Sequence, residues 1–434
     1  MTSEMKLAEI FKDHMVLQRG QPIRLFGSGS GTVEAELNGE TARTTSSKGC
    51  WRLELPTMPA GGPYTLRVNL NGKDQIFRDV YIGDVWLAGG QSNMELPLRA
   101  AQHTEDDSKE NPLIRYFTVT DGNEGNRAWV LGGPKTTPNF SAIGGRFAKR
   151  MAEQYSVPVG IISCNRGATC IESWTDKTYL LGTELELPSE QRFQDAVLYE
   201  KNGYGELYDL LVSRLIPYGM KGVLWYQGES NRGPYDGKIY GALLERLITC
   251  WRERFELPDL PFLIVQLTRY GEPDSEMVQW ALIRQQQLEA SQKISNVAMV
   301  TTTDLGQSEE IHPIRKKEVA DRLVLAAQSL VFGEKVEYSG PLPSEATASD
   351  GEVVVSFTHA KGLNAQGPLD DIYCRTEDGR LLHTPAHLDG ERLYITVPTG
   401  QRVQEIRAWY RNDAMVTLFN EAGFPASPFC MEVG

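Results

Sequence analysis

No window of this sequence approaches the roughly 18 consecutive apolar residues that a membrane-spanning helix needs, so no span is expected. Basic residues form no dense run either. Lys and Arg number 44 against 57 Asp and Glu, the net charge is −13 and the pI is about 5.1. A nucleic-acid partner demands a basic footprint, so that class is excluded and a neutral or small substrate is expected. The six cysteines (Cys50, Cys164, Cys170, Cys250, Cys374, Cys430) show no CxxC spacing. That argues against a zinc cluster and for buried thiols, with a single disulfide such as Cys164–Cys170 left open. Met1 to Ala8 hold no apolar signal-peptide core. The expectation is a cytoplasmic chain, or a periplasmic or secreted one whose leader was removed before this numbering.

What is present is ordinary globular material. The 434 residues suggest roughly three domains at about 150 residues each. Hydrophobic residues make up 41% and charged residues 23%, so the chain can bury a sizeable core. The 41 glycines and 23 prolines predict many turns and much β structure.

Three textures follow one another. Residues 1–80 read as short strands (Met15–Gln18, Ile23–Gly27, Val33–Leu37, Trp51–Leu55, Tyr64–Leu70). Asn38-Gly39 and Asn71-Gly72 between such runs are strong hairpin cues. This predicts an N-terminal β-sandwich module. Residues 81–334 alternate apolar runs with helical patterns. The runs are Val80–Ala88, Val159–Ser163, Val223–Tyr226, Phe262–Leu267 and Val297–Thr303. Helices are expected after a Ser141 cap, over Leu207–Leu215, Tyr240–Phe255 and Trp280–Ala290, and from Pro313 to Leu330. Near-continuous apolar strands suit a parallel sheet covered on both faces, hence an α/β domain of three layers (αβα). Its active site belongs at the carboxyl ends of the strands. Residues 335–434 return to short strands and predict a C-terminal β-rich module.

Three polar blocks sit just past predicted strands of the middle segment. Gly89-Gly90-Gln91-Ser92-Asn93-Met94-Glu95 puts a serine on a glycine turn, a position for a nucleophile. It is not the GxSxG elbow, because Met94 replaces the second glycine. Trp225-Tyr226-Gln227-Gly228-Glu229-Ser230-Asn231 offers side-chain amides that can donate to an oxyanion, although Ser230 and Asn231 are also good helix caps. Asp304 to Pro313 carries His312, the one histidine of six that lies at a strand end of the middle segment with carboxylates beside it. A neighbouring carboxylate can fix an imidazole tautomer and stabilise the imidazolium.

These blocks, together with Phe11–Arg19, Val157–Trp174 and Ala422–Phe429, resemble the sialate O-acetylesterase family of the SGNH-hydrolase superfamily. The resemblance implies that Ser92 is the nucleophile and His312 its base. It implies an oxyanion hole of the Ser92 N–H, the Gly167 N–H and an amide from Gln227 or, second, Asn231. The superfamily places Asp three residues before the histidine; here Glu309 stands there, with Glu310, Asp304 or a bare Ser–His dyad as rivals. Gln91, Glu172, Trp174, Glu229 and Arg284 are the expected pocket residues. Trp174, Tyr226 and Tyr235 would suit a sugar face, and Arg166, Arg269 or Arg284 an anionic sugar. The implied reaction is hydrolysis of O-acetyl esters on a sugar or oligosaccharide, without metal or organic cofactor. The expected substrate is 9-O-acetyl sialic acid. The alternatives are acetyl xylan and other plant glycans, an SGNH lipase or thioesterase, and a non-catalytic carbohydrate-binding protein on a dead hydrolase core. Oligomeric state is not legible.

Overall fold

The computed structural model describes residues 4–46, 49–120, 128–188, 202–233, 235–271, 279–349 and 351–434. These fall into two compact units. The first lies within Met1–Thr183, Leu198–Trp225 and Arg246–Phe262, the second within Glu184–Val197, Tyr226–Glu245 and Leu263–Gly434.

In the first unit, two hairpins begin the chain. Thr32–Leu37 pairs with Glu40–Thr45, and Gly61–Leu70 with the start of Lys73–Gly90. Both turn pairs adopt positive φ: 49° and 86° at Asn38 and Gly39, 52° and 84° at Asn71 and Gly72. That is the mirror-image turn whose twist matches the strands it joins, so Asn-Gly belongs there for a steric reason. Val33, Ala35 and Leu37 are buried while Glu34 and Glu36 are exposed, the period-two pattern of a sheet with one dry face.

The 18-residue strand Lys73–Gly90 positions the nucleophile block. Its first part is antiparallel to Gly61–Leu70 and its second part is parallel to Val159–Asn165, with Asn165 opposite Gly90. Residue 80, the expected module boundary, therefore lies inside one continuous strand. Val159–Asn165 also pairs in parallel with Asn111–Thr118. That strand was not expected, because Pro112 and Arg115 interrupt its apolar pattern. Arg115 is buried and donates to Asp79 at 3.0 Å. From Val80 to Gln91 every residue but Tyr81 is buried, as an interior strand must be. The helix Ala142–Tyr155 packs on this sheet through Ile143, Phe147 and Met151.

The second unit contains Phe262–Val265 and Val297–Val300, both fully buried, with the Gln266 N–H bonded to the Val300 carbonyl at 3.0 Å. Helices Gln279–Lys293 and Lys316–Leu330 pack against Val297–Val300. Two four-stranded antiparallel sheets follow, one built on Leu342–Ser349 and Glu352–Thr358, the other on Ile372–Thr376 and Val403–Ala408.

Three expectations need correction. Leu207–Leu215 is not a regular α-helix: Tyr208–Val212 is wound as a π-helix and Ser213–Leu215 as a 3-10 turn. The last helix starts at Lys316 rather than Pro313. All six cysteines are free thiols, and Cys50 is exposed rather than buried.

Candidate active site

In the first unit, Gly90 leaves its strand at φ 129°, a conformation that side chains resist. The buried Gln91 follows, and its carbonyl accepts the N–H groups of Met94 and Glu95, each at 2.9 Å. Ser92 thus opens a single helical turn, Ser92–Glu95, with Asn93 and Met94 buried and Ser92 itself half-buried. The Met94 carbonyl accepts the Ser141 hydroxyl at 2.6 Å, and the Ser141 oxygen accepts the Gly144 N–H at 3.1 Å. One serine therefore caps the helix Ala142–Tyr155 and pins the turn that carries Ser92.

The loop after Val159–Asn165 brings Gly167 to this turn. The Arg166 N–H donates to the Gly90 carbonyl at 3.1 Å. A Cβ on Gly167 would stand 3.3 Å from the Ser92 Cβ, tighter than most real contacts. The Gly167 N–H is already engaged: it donates to the Glu95 carboxylate at 2.6 Å. Glu95 was not expected to matter, yet its position three residues after Ser92, on the same helical face, was a usable signal.

Glu172 and Trp174 lie further along the same loop, both buried. Trp174 has no exposed ring for a sugar: its indole N–H donates to Thr169 Oγ1 at 3.0 Å, and the ring meets Trp225 edge-on at 6.2 Å. It is core.

In the second unit, Gly228 adopts φ 147°, and a Cβ there would stand 2.8 Å from Ile283 Cγ2. Only glycine fits that turn. Gln227 before it is fully buried. Its Nε2 donates to Asn231 Oδ1 at 2.8 Å, its Oε1 accepts the Tyr240 hydroxyl at 3.0 Å, and its carbonyl accepts Gln287 Nε2 at 3.0 Å. The two amides proposed for the oxyanion are thus hydrogen-bonded to each other. Glu229 is buried in the same turn and helps burial push the Tyr226 hydroxyl far above the usual tyrosine range.

His312 is half-buried, and its backbone N–H, not its ring, donates to the Glu310 carboxylate at 2.8 Å. Burial lowers the imidazole pKa, the Lys316 charge lowers it further, and Glu310 opposes both. The rival carboxylates are separated by their surroundings. Asp304 is committed to Arg322 through two bonds of 2.7 and 2.6 Å. Glu309 is exposed, and among the described residues no hydrogen bond or ion pair reaches its carboxylate.

Two of the three arginines expected for an anionic sugar, Arg284 and Arg269, have structural work. Arg284 is fully buried and donates to the carbonyls of Thr268, Arg411 and Asn412. Burial brings its pKa down to about 9. Arg269 donates to the Gly306 carbonyl at 3.0 Å and pairs with Asp413 at 3.4 Å. Tyr235 is 50% exposed.

Likeness to known proteins defines the class of this mixed α/β chain: a hydrolase. The chain belongs to a family of carbohydrate esterases, the sialic acid-specific acetylesterases, whose model matches residues 82–329. It is 27% identical to the sialate O-acetylesterase of Rattus norvegicus, over 83% of this chain and 80% of that one. The human sialate O-acetylesterase is 26% identical over 85% and 79%. The crystal structure of a carbohydrate acetylesterase from Xanthomonas citri superimposes with a TM-score of 0.86 at 30% identity, covering 98% of this chain and 99% of that one. No helix among the described residues is long and apolar enough to cross a membrane.

Proposed function

We propose that this carbohydrate esterase removes O-acetyl groups from sugars, with 9-O-acetyl sialic acid as substrate, through an acetyl-Ser92 intermediate. The observation that carries the reading is the placement of Ser92 on a pinned turn with the backbone of Gly167 packed against it. The proposal extends to this chain the activity for which the rat and human relatives are named. It also keeps the expected order of β-rich, three-layer α/β and β-rich modules.

In the proposed reaction, Ser92 Oγ attacks the acetyl carbonyl while His312 accepts the hydroxyl proton. The oxyanion takes up N–H donors, each worth on the order of 3 kcal/mol. The sugar alcohol leaves with the proton from His312. Water, deprotonated by His312, then attacks the acetyl-enzyme and releases acetate and Ser92. The lowered His312 pKa supports a neutral, accepting imidazole in the resting enzyme. Glu310 is the carboxylate whose charge acts on that ring, which supports it over Glu309 as the stabiliser of the imidazolium.

The test is acetate release from O-acetylated sialosides and acetylated xylo-oligosaccharides, with wild type and Ser92→Ala. Sialoside turnover lost in Ser92→Ala is the expected result. Faster release from xylo-oligosaccharides would reassign the substrate. Equal rates in both proteins would remove Ser92 from the mechanism.

A further inference from the structure

Lys316 is the first residue of the helix Lys316–Leu330, four residues after His312, and it is 1% exposed. Lysine is rarely buried so deeply. A helix N-terminus is also the wrong end for a cation, because the macrodipole there favours negative charge. Burial and dipole both work against this charge, so packing alone does not account for a lysine here. What surrounds it is specific. Its ammonium lies 5.3 Å from the centroid of the Tyr226 ring, within cation–π reach. The carboxylates that act on it are Glu229, after the strand Gly222–Tyr226, and Glu310, in the His312 loop. The group its own charge acts on is His312.

We propose that Lys316 is a positioning residue for the reaction: its buried ammonium, seated over Tyr226 and countered by Glu229 and Glu310, holds the His312 imidazole neutral so that it can take a proton. This rests on the reading of His312 as the base. Burial brings Lys316 itself down to about 7, and its charge works with burial to lower His312. Glu310 and Lys316 then act on His312 with opposite sign. The carboxylate favours the imidazolium formed during attack, and the ammonium prevents that form from filling the resting enzyme.

The test is NMR titration of histidine- and lysine-labelled protein beside kcat/KM against pH. Lys316→Met keeps the length of the side chain and removes the charge. The expected result is a rise in the His312 pKa on the order of one unit, with the acid limb of kcat/KM moving up equally. Glu310→Gln should move both down. A folded Lys316→Met with an unmoved His312 pKa overturns the proposal, whatever its kcat. Should that variant not fold, wild type decides: a His312 pKa below the usual value of about 6.5 supports the proposal, and one at or above it overturns it. The His312 titration needs no turnover. A shifted His312 pKa in an enzyme whose activity ignores Ser92→Ala would sink the catalytic reading and leave the charge coupling standing.

Discussion

A carboxylate on the Gly167 N–H competes with any acetyl oxyanion for the same proton. Glu95 holds that N–H at 2.6 Å, so in the proposed reaction, where the Gly167 N–H serves the oxyanion, it must yield. Glu95→Gln replaces a charge-assisted bond with a neutral one, roughly half as strong. At an exposed site we predict a rise in kcat/KM of about three- to tenfold. A fall instead would mean that Glu95 mainly shapes the loop. The acid is a second question for single residues. Glu310→Gln should lower kcat by roughly tenfold or more, as expected for losing a group that stabilises the imidazolium. Glu309→Gln should stay near wild type, since the exposed carboxylate touches nothing among the described residues. The reverse order would return the role to Glu309. The pH dependence has a definite sign. His312 as the proposed base works neutral and its pKa is lowered, so the acid limb of kcat/KM should fall below the ordinary histidine value of about 6.5. The folded state then binds fewer protons than the unfolded one near that pH, so stability too should decline as pH drops through it. The residue types of the proposed site are legible because serine, amide and histidine stand beside strand ends. The spacing of Glu95 from Ser92 is legible too, but not its N–H partner, and Lys316 is not legible at all, because its effect depends on which ring it meets in space.

Among elements, the sequence announced those whose local chemistry leaves little choice. Asn-Gly pairs marked both hairpins because few residues accept two consecutive positive φ angles. Uninterrupted apolar runs marked Val159–Asn165 and Val297–Val300. The strand Asn111–Thr118 stayed hidden because its buried arginine is satisfied by Asp79, 36 residues away in sequence. The mixed pitch of Tyr208–Leu215 leaves no trace in a hydrophobic pattern that fits an α-helix equally well. Gly228 belongs to this scale because it sets the path between the strand Gly222–Tyr226 and the turn Glu229–Asn231. Gly228→Ala puts a Cβ 2.8 Å from Ile283 Cγ2 and forces an unfavourable φ. We predict a loss of about 1–3 kcal/mol, read as a lower Tm. Activity should fall more than the unfolded fraction explains, because Gln227 moves with the turn. A variant as stable and active as wild type would show that the turn tolerates a side chain.

At the scale of the whole molecule, the C-terminal sheets are fastened into the second unit by buried polar bonds rather than joined through a free linker. Gln266 donates to Ser427 Oγ, Thr301 to the Pro425 carbonyl, and Gln285 exchanges two bonds with the Cys430 backbone. Arg284 is the strongest of these fastenings. It ties the helix Gln279–Lys293 to carbonyls at Thr268, Arg411 and Asn412, which are 16, 127 and 128 residues away in sequence. From sequence alone an arginine in this helix reads equally well as a sugar ligand, and the two roles predict different measurements. As an internal tie, Arg284→Ala takes the guanidinium from the Arg411 carbonyl, leaves the Thr268 and Asn412 carbonyls with their bonds from Trp280 and Tyr270, and opens a cavity, at roughly 1–3 kcal/mol for a carbonyl left unpaired. Tm should fall steeply, while the KM of the fraction that remains folded should not change. As a ligand for an anionic sugar, the same substitution would raise KM for the sialoside at nearly wild-type Tm. The full burial of the guanidinium decides in favour of the first outcome. It also bears on the charge of −13. If Arg284 is spent on the fold and Arg269 on Asp413, neither is available to offset that negative charge for an anionic sugar. Of the three expected arginines that leaves Arg166, next to Gly167, for the sialoside carboxylate. KM for the sialoside should then rise between low and moderate salt in wild type and not in Arg166→Gln; a KM indifferent to salt in both proteins would mean that neutral hydrogen-bond donors hold the sugar.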